Sequence, residues 1–369
     1  MAGIRTSLSK HAPQLLLATI ILISIPYQAA YGQITPESFG LGDFATESGV
    51  VLQNAKITYT TEGVLNAQKS NAILIPSSYS ASNNNELSFL VQEGAALDPA
   101  KYFIVRTNMF ANGWSSSPSN TPPPQDGPRF PQISIRDNVD AAYSLLTDEF
   151  GIPHLLAVVG FSMGGQQSYQ WAVSYPDYMD GIVVLSGNAR EYPFGIVRLE
   201  GAKSAIMADA AWQNGEYTEV PEKGIRTLGS HWAAWGYSQE WWRRETYLNM
   251  GLTLDEMIQR REQGFLGSDA NDLLSQAVTW QNHNIADTSG QDGDFENALR
   301  SISTRVLLMP ASTDLYFRVT DLRNESRFIR DVLLAPIETI WGHAGAAGAD
   351  PVANRFIDST ITTFLTMPN

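Results

Sequence analysis

The chain has 369 residues, 43% hydrophobic and 17% charged, a balance that supplies a large core and fits neither a disordered chain nor a multi-span membrane protein. A formal charge of −14 with no Lys/Arg-rich stripe to offset it repels nucleic-acid phosphates, so nucleic acid is excluded as an expected partner. Cysteine is absent, which removes disulfides, thiolate metal sites and a cysteine nucleophile together.

In chain order, Arg5 and Lys10 precede an apolar run over 15–23, closed by Ser24-Ile25-Pro26, and Ala30 and Gly32 are the two small residues before a cleavage point. This order reads as a secretory signal peptide over residues 1–32 and hence a secreted chain. The alternative is a retained membrane anchor, although a spanning helix needs roughly 20 apolar residues. If the segment is no signal at all, the chain is cytoplasmic.

Short β-branched and apolar runs then alternate with helical patterns. Strands are predicted at 57–60, 72–75, 102–105, 155–159, 182–185, 306–309 and 337–340, and helices at 135–150 and 352–365. Several strands are apolar throughout, as in a parallel sheet covered by helices on both faces. The expected fold class is therefore α/β, a mostly parallel, doubly wound sheet flanked by helices. Residues 107–134 are rich in Ser, Pro, Asn and Gly and read as a long functional loop. Residues 193–300 lack strand patterns and hold six of the nine tryptophans (Trp212, Trp232, Trp235, Trp241, Trp242, Trp280). They are expected to form a helical lid between a first part of the core (33–192) and a second (301–369). Most of these rings should pack the lid's own core, with one or two facing a pocket.

The sharpest local signal is the run 155–165, LLAVVGFSMGG, in which a buried strand meets G-x-S-x-G and a helix-compatible stretch follows. Such a serine sits on a tight strand-to-helix turn. Gly160 and Gly164 let neighbouring backbone pass without a Cβ clash, and the helix start turns free N–H groups toward developing negative charge. Ser162 is the candidate nucleophile, and the Met163 N–H a candidate oxyanion donor.

A serine nucleophile needs a base, and the chain has five histidines. His11 lies in the signal segment, and His154 begins the strand that carries the serine, at the wrong end of the sheet. His231 and His283 fall in the helical insertion, where packing or surface roles are expected. His343 follows the last predicted strand and is the candidate base. Asp314, just after the strand at 306–309, is the candidate orienting acid, with Asp321 as competitor; Ser, then Asp, then His is the order expected of this fold. The second oxyanion donor should be the N–H of Ser78 or Tyr79, since Pro76 has none.

The chain resembles the homoserine O-acetyltransferase family within the α/β-hydrolases. The likeness covers nearly all of residues 33–369 and is carried by ALDPAKYF (96–103), FPQISIRDNV (130–139), GFSMGGQQSYQWAVSYPD (160–177), DAAWQNGEYTEVPEKGIR (209–226), STDLYF (312–317) and GHAG (342–345). It implies the α/β-hydrolase fold, the triad Ser162, Asp314 and His343, a helical lid forming a tunnel to the serine, and a homodimer contacting through the lid. Two departures bear on the substrate. In homoserine acetyltransferases an acidic residue follows the catalytic histidine, where this chain has Ala344. The loop 108–114 (NMFANGW) also differs from the glycine- and cysteine-containing version of those enzymes.

The expected activity is acyl transfer from a small-molecule ester or thioester through an acyl-serine, with no cofactor and no metal. An exported esterase-like hydrolase is favoured, because acetyl-CoA is an intracellular donor. An O-acyltransferase using acetyl-CoA as co-substrate with homoserine or a related alcohol is the alternative. A non-catalytic binding protein on the same fold is a third reading.

Overall fold

The computed structural model describes residues 35–81 and 86–367; the signal-peptide reading of 1–32 lies outside them. Two strands, β1 (Glu37–Ala45) and β2 (Val51–Glu62), open the fold as an antiparallel pair. β3 (Ala72–Pro76), β4 (Phe103–Asn108), α1 (Ile135–Ser144), β5 (Ala157–Phe161), α2 (Met163–Ser174) and β6 (Gly181–Leu185) follow. Then come α3 (Pro193–Met207), α4 (Glu222–Gly236), α5 (Gln239–Arg243), α6 (Leu254–Gln263), α7 (Ala270–Gln281) and α8 (Phe295–Arg300). The chain closes with β7 (Arg305–Met309), α9 (Val319–Ser326), β8 (Val332–Leu334), α10 (His343–Ala346) and α11 (Pro351–Thr366).

The strands form one sheet in the order β1-β2-β4-β3-β5-β6-β7-β8, antiparallel from β1 to β4 and parallel from there on. Strand side chains alternate between faces, and across β3, β4, β5, β6 and β7 both faces are dry. Leu74, Val158, Ile182, Val184, Val306 and Leu308 join the core on the α1/α2 side. Ile73, Ile75, Val159, Val183, Leu185 and Leu307 join the core under α11. Two buried faces explain why these strands read as unbroken apolar runs. α1 starts at Ser134, whose side chain and that of Asp137 form a reciprocal capping box.

Three elements differ from the sequence reading. The segment 337–340 is not a strand: Ile337 makes a single parallel bridge to Ala311, and the edge strand is β8 instead. Ile337 is apolar because it packs in the core under α11, whereas β8 is three residues long and partly exposed. The β1–β2 hairpin extends well before residue 57; β1 is mostly exposed and its register shifts near Gly40 and Gly42, so it carries little alternation. The predicted helix 135–150 is α-helical to Ser144 and then widens into a π-helical turn over Leu145–Glu149. The loop reading of 107–134 matches the structure after β4 ends, apart from a short 3-10 turn at Gly127–Arg129.

Behind the sheet's carboxyl edge, α9 carries a buried Glu325. It accepts hydrogen bonds from the hydroxyls of Tyr169 (2.9 Å) and Tyr192 (3.0 Å) and from the Ala189 N–H (3.2 Å). Burial pushes its carboxyl up to about 8. The folded chain therefore holds a proton here that the unfolded chain has released, and stability falls as pH rises from the ordinary carboxylate range through about 8. Glu325→Gln removes that titration while keeping the side-chain shape. Thermal unfolding followed by circular dichroism should show a smaller loss of Tm between about pH 5 and pH 8 in the variant. Parallel Tm profiles would contradict this account.

Candidate active site

β5 runs buried to Phe161 and α2 begins at Met163, leaving Ser162 to make the whole turn at φ 56°, ψ −122°. A non-glycine residue held there costs about 1–3 kcal/mol, so the surroundings must impose it. They do so by close packing. A Cβ on Gly160 would lie 2.0 Å from the Gly164 carbonyl oxygen, and one on Gly164 would lie 2.5 Å from that of Pro76. The Ser162 N–H donates to the Leu185 carbonyl (2.9 Å), tying the turn to β6.

His343, the first residue of α10, has Nε2 3.0 Å from Ser162 Oγ and Nδ1 2.7 Å from Asp314 Oδ2. Its ring lies between those of Phe161 and Tyr316, each with centroids 4.5 Å away. Asp314, buried on the loop after β7, accepts at Oδ1 from the N–H groups of Tyr316 (2.7 Å) and Phe317 (3.2 Å). A carboxylate that only accepts assigns the imidazole proton to Nδ1 and leaves Nε2 to accept from the serine hydroxyl. The structure thus joins Ser162, His343 and Asp314 in one hydrogen-bonded chain at the carboxyl edge of the sheet. Asp321 lies apart from it on α9. His154 pairs with Asp180 (2.9 Å). His283 is buried, and burial pushes its imidazole down to about 3.

The oxyanion candidates separate. As the first residue of α2, Met163 has an N–H with no acceptor one turn earlier in its own helix. The Ser78 N–H is committed to Glu86 Oε2 (2.7 Å), and the Ser78 hydroxyl also bonds Glu86, so Ser78 is withdrawn as a donor and Tyr79 is kept. The loop that carries both is pinned on two sides. Gln167 Nε2 donates to the Ser77 carbonyl (2.8 Å), while Tyr79 Oη and the Ser80 N–H reach Leu273 O and Gln276 Oε1 on α7.

Tyr316, which packs on His343, leads into an aromatic cluster built with Trp232 and Trp280 from the helices of 193–300. Tyr79 stacks on Trp232 (5.2 Å, 18°) and lies 5.7 Å from Trp280, and both tryptophans are 6.1 Å from Tyr316. Trp280 Nε1 donates to the buried Glu191 (2.6 Å), whose carboxyl burial pushes up to about 7. The guanidinium of Arg198 sits within this cluster. Trp232 and Trp280 are buried in this cluster, and Trp212 is the ring of 193–300 that lines a surface cavity, with Pro128, Phe130 and Leu274. Arg198 and Glu191 were not foreseen. The signal for Arg198 was present in helical spacing: it shares the buried stripe of α3 with Gly195, Leu199, Ala202 and Ile206.

The family profile described as the alpha/beta hydrolase fold matches residues 73–211. An ethyl acetate hydrolase of Pseudomonas veronii is 35% identical over 90% of this chain and 96% of its own length. A homoserine O-acetyltransferase of Zymomonas mobilis is 30% identical over 76% of this chain and 83% of its own. The crystal structure of an acetylester hydrolase from Corynebacterium glutamicum superposes with a TM-score of 0.87 at 34% identity, covering 91% of this chain and 97% of that one. The chain belongs to the α/β-hydrolase family, in the branch that holds homoserine O-acetyltransferases and related esterases.

Two outcomes follow from the geometry. A fluorophosphonate should label Ser162, as read by peptide mass spectrometry, with labelling slowed about 10²–10⁴-fold in His343→Ala; labelling elsewhere, or at an unchanged rate, contradicts the relay. Gly160→Ala should lower the Tm by the equivalent of about 1–3 kcal/mol and slow labelling as well, and a variant with unchanged Tm and labelling would show that the turn does not depend on this contact.

Proposed function

We propose that the chain is a serine carboxylic-ester hydrolase that cleaves short-acyl esters through an acyl-Ser162 intermediate. The observation that carries this reading is the hydrogen-bonded chain from Ser162 Oγ through His343 to Asp314. His343 Nε2 takes the hydroxyl proton as Ser162 Oγ attacks the ester carbonyl, and Asp314 holds the imidazolium through Nδ1–H. The N–H groups of Met163 and Tyr79 receive the oxyanion, where losing one donor typically costs about 10²–10³ in turnover. His343 then gives its proton to the departing alkoxide. Water, deprotonated by the same nitrogen, releases the acid and restores the serine.

Hydrolysis is favoured over transfer by the residue beside the base. Ala344 packs against the apolar cluster of Tyr237, Trp241, Tyr247 and Met257, so no carboxylate stands there to hold an amino-acid acceptor. The names of the Pseudomonas and Corynebacterium relatives, an ethyl acetate hydrolase and an acetylester hydrolase, support an acetyl or similarly short acyl group. The signal-like pattern of the first 32 residues supports export, where acetyl-CoA is not at hand.

The test is steady-state turnover of ethyl acetate and short p-nitrophenyl esters, beside acetyl-CoA with homoserine, with Ser162→Ala as control. Ester cleavage that is lost in Ser162→Ala, without homoserine-dependent CoA release, is the expected outcome. CoA release that requires homoserine would make the chain an acyltransferase. An intact protein that neither turns over esters nor releases CoA would favour a binding role.

A further inference from the structure

We infer that the lid and core build a carboxylate-binding subsite beside Ser162 from Arg198, Tyr316 and Arg261, so that the preferred substrates are esters bearing a free carboxylate. The inference rests on the ester-hydrolase reading and names its substrate class.

It starts from a cation without a partner. Arg198 is only 4% exposed, yet among the described residues none of its Nε, Nη1 and Nη2 atoms has a hydrogen-bond partner. Its guanidinium carbon lies 4.3 Å from the Tyr316 ring centroid, 4.7 Å from that of Trp280 and 4.9 Å from that of Trp232. Ring faces attract the charge but offer no lone pair to the five N–H donors. The acidic groups whose charge reaches Arg198 are committed elsewhere. Asp314 is held by His343 and two backbone N–H groups. Glu191 accepts from Trp280 Nε1 and Gln166 Nε2 (3.2 Å), and with its carboxyl pushed up to about 7 it offsets the guanidinium only in part at neutral pH.

Two more donors lie near the end of α4. Among the described residues the buried Tyr316 hydroxyl has no hydrogen-bond partner, and neither has Nε of Arg261. Tyr316 Oη and Arg261 Nη2 lie 3.9 and 3.7 Å from the point a Cβ on Gly236 would occupy, so both border one small space at the end of α4. The Tyr316 ring in turn packs on His343 (4.5 Å), and Trp232 packs on Tyr79 of the oxyanion loop. Arg198 is therefore one ring away from the reacting groups on both sides. Unpaired buried charge is costly, and an anionic acceptor would offset that cost. A planar carboxylate answers the guanidinium fork with two oxygens. It could come from the acyl side, as in a half-ester of a dicarboxylic acid, or from the alcohol side, as in the acetate ester of a hydroxy acid.

The test separates binding from turnover by using Ser162→Ala, whose affinity for monoethyl succinate, acetoxyacetate and neutral diethyl succinate is measured by calorimetry and by quenching of tryptophan fluorescence. A charged ester should bind at least about tenfold more tightly than the neutral one, and the identity of the tighter charged ester assigns the acyl or alcohol side. Adding Arg198→Leu should abolish the preference. Arg198→Lys, which keeps the charge but loses the fork, and Tyr316→Phe should each reduce it, and they decide the matter if the leucine variant does not fold. Equal affinity for charged and neutral esters, no binding of either charged ester, or a preference that survives these substitutions overturns the subsite. Wild-type protein that binds charged esters but cleaves none would instead overturn the hydrolase reading and leave the subsite standing.

Discussion

The turn at Ser162 is a strained conformation that a serine does not adopt by preference, and much of the fold is arranged to hold it. The carbonyl of Pro76 at the end of β3 and the first turn of α2 close in where a side chain on Gly160 or Gly164 would stand. β6 accepts the Ser162 N–H. Three neighbouring strands thus end around one residue, and its hydroxyl meets His343 Nε2. The strain is stored by backbone packing, which holds the Ser162 hydroxyl in the orientation that the proposed attack on an ester requires.

The partners of the serine come from the same edge by a different route. Asp314 follows β7 directly, and its free oxygen is held by the backbone of its own loop. His343 arrives at the start of α10 after an irregular stretch, and its ring is clamped between Phe161 and Tyr316. Tyr316 therefore has two duties: its N–H orients the acid and its ring packs the base. The lid adds aromatic rings and charge. Trp232 and Trp280 pack on Tyr316 beside the His343 ring, and Arg198 places a cation where solvent is largely excluded. In such surroundings a cation acts far more strongly than it would in water. The core supplies the Ser162–His343–Asp314 hydrogen-bonded chain, and the helices of 193–300 supply the aromatic rings and the cation nearest to it.

Legibility in the sequence followed how local each signal is. The parallel strands were readable because both of their faces are buried, which writes them as apolar runs. Ser162 was readable because its turn needs glycine at fixed offsets. His343 emerged by elimination among five histidines, and Asp314 by chain order. The strand expected at 337–340 failed because core burial of Ile337 mimics a strand. The β1 hairpin was missed because exposed, bulged strands lose their alternation. Ser78 and Tyr79 could not be separated, since the choice depends on Glu86 coming back to the loop from eight residues on. Arg198 stayed hidden because a single basic residue in a helix usually faces solvent, and only its place on the buried stripe of α3 says otherwise.

The central claim is that Ser162 carries the acyl group during turnover. Its most direct test is to mix the enzyme with p-nitrophenyl acetate, quench in acid within the first turnovers and map the protein by mass spectrometry. The account predicts an acetyl group on the peptide that contains Ser162, formed with the burst of p-nitrophenol and absent from Ser162→Ala. Turnover with no acetyl adduct, or with the adduct on another residue, would contradict it.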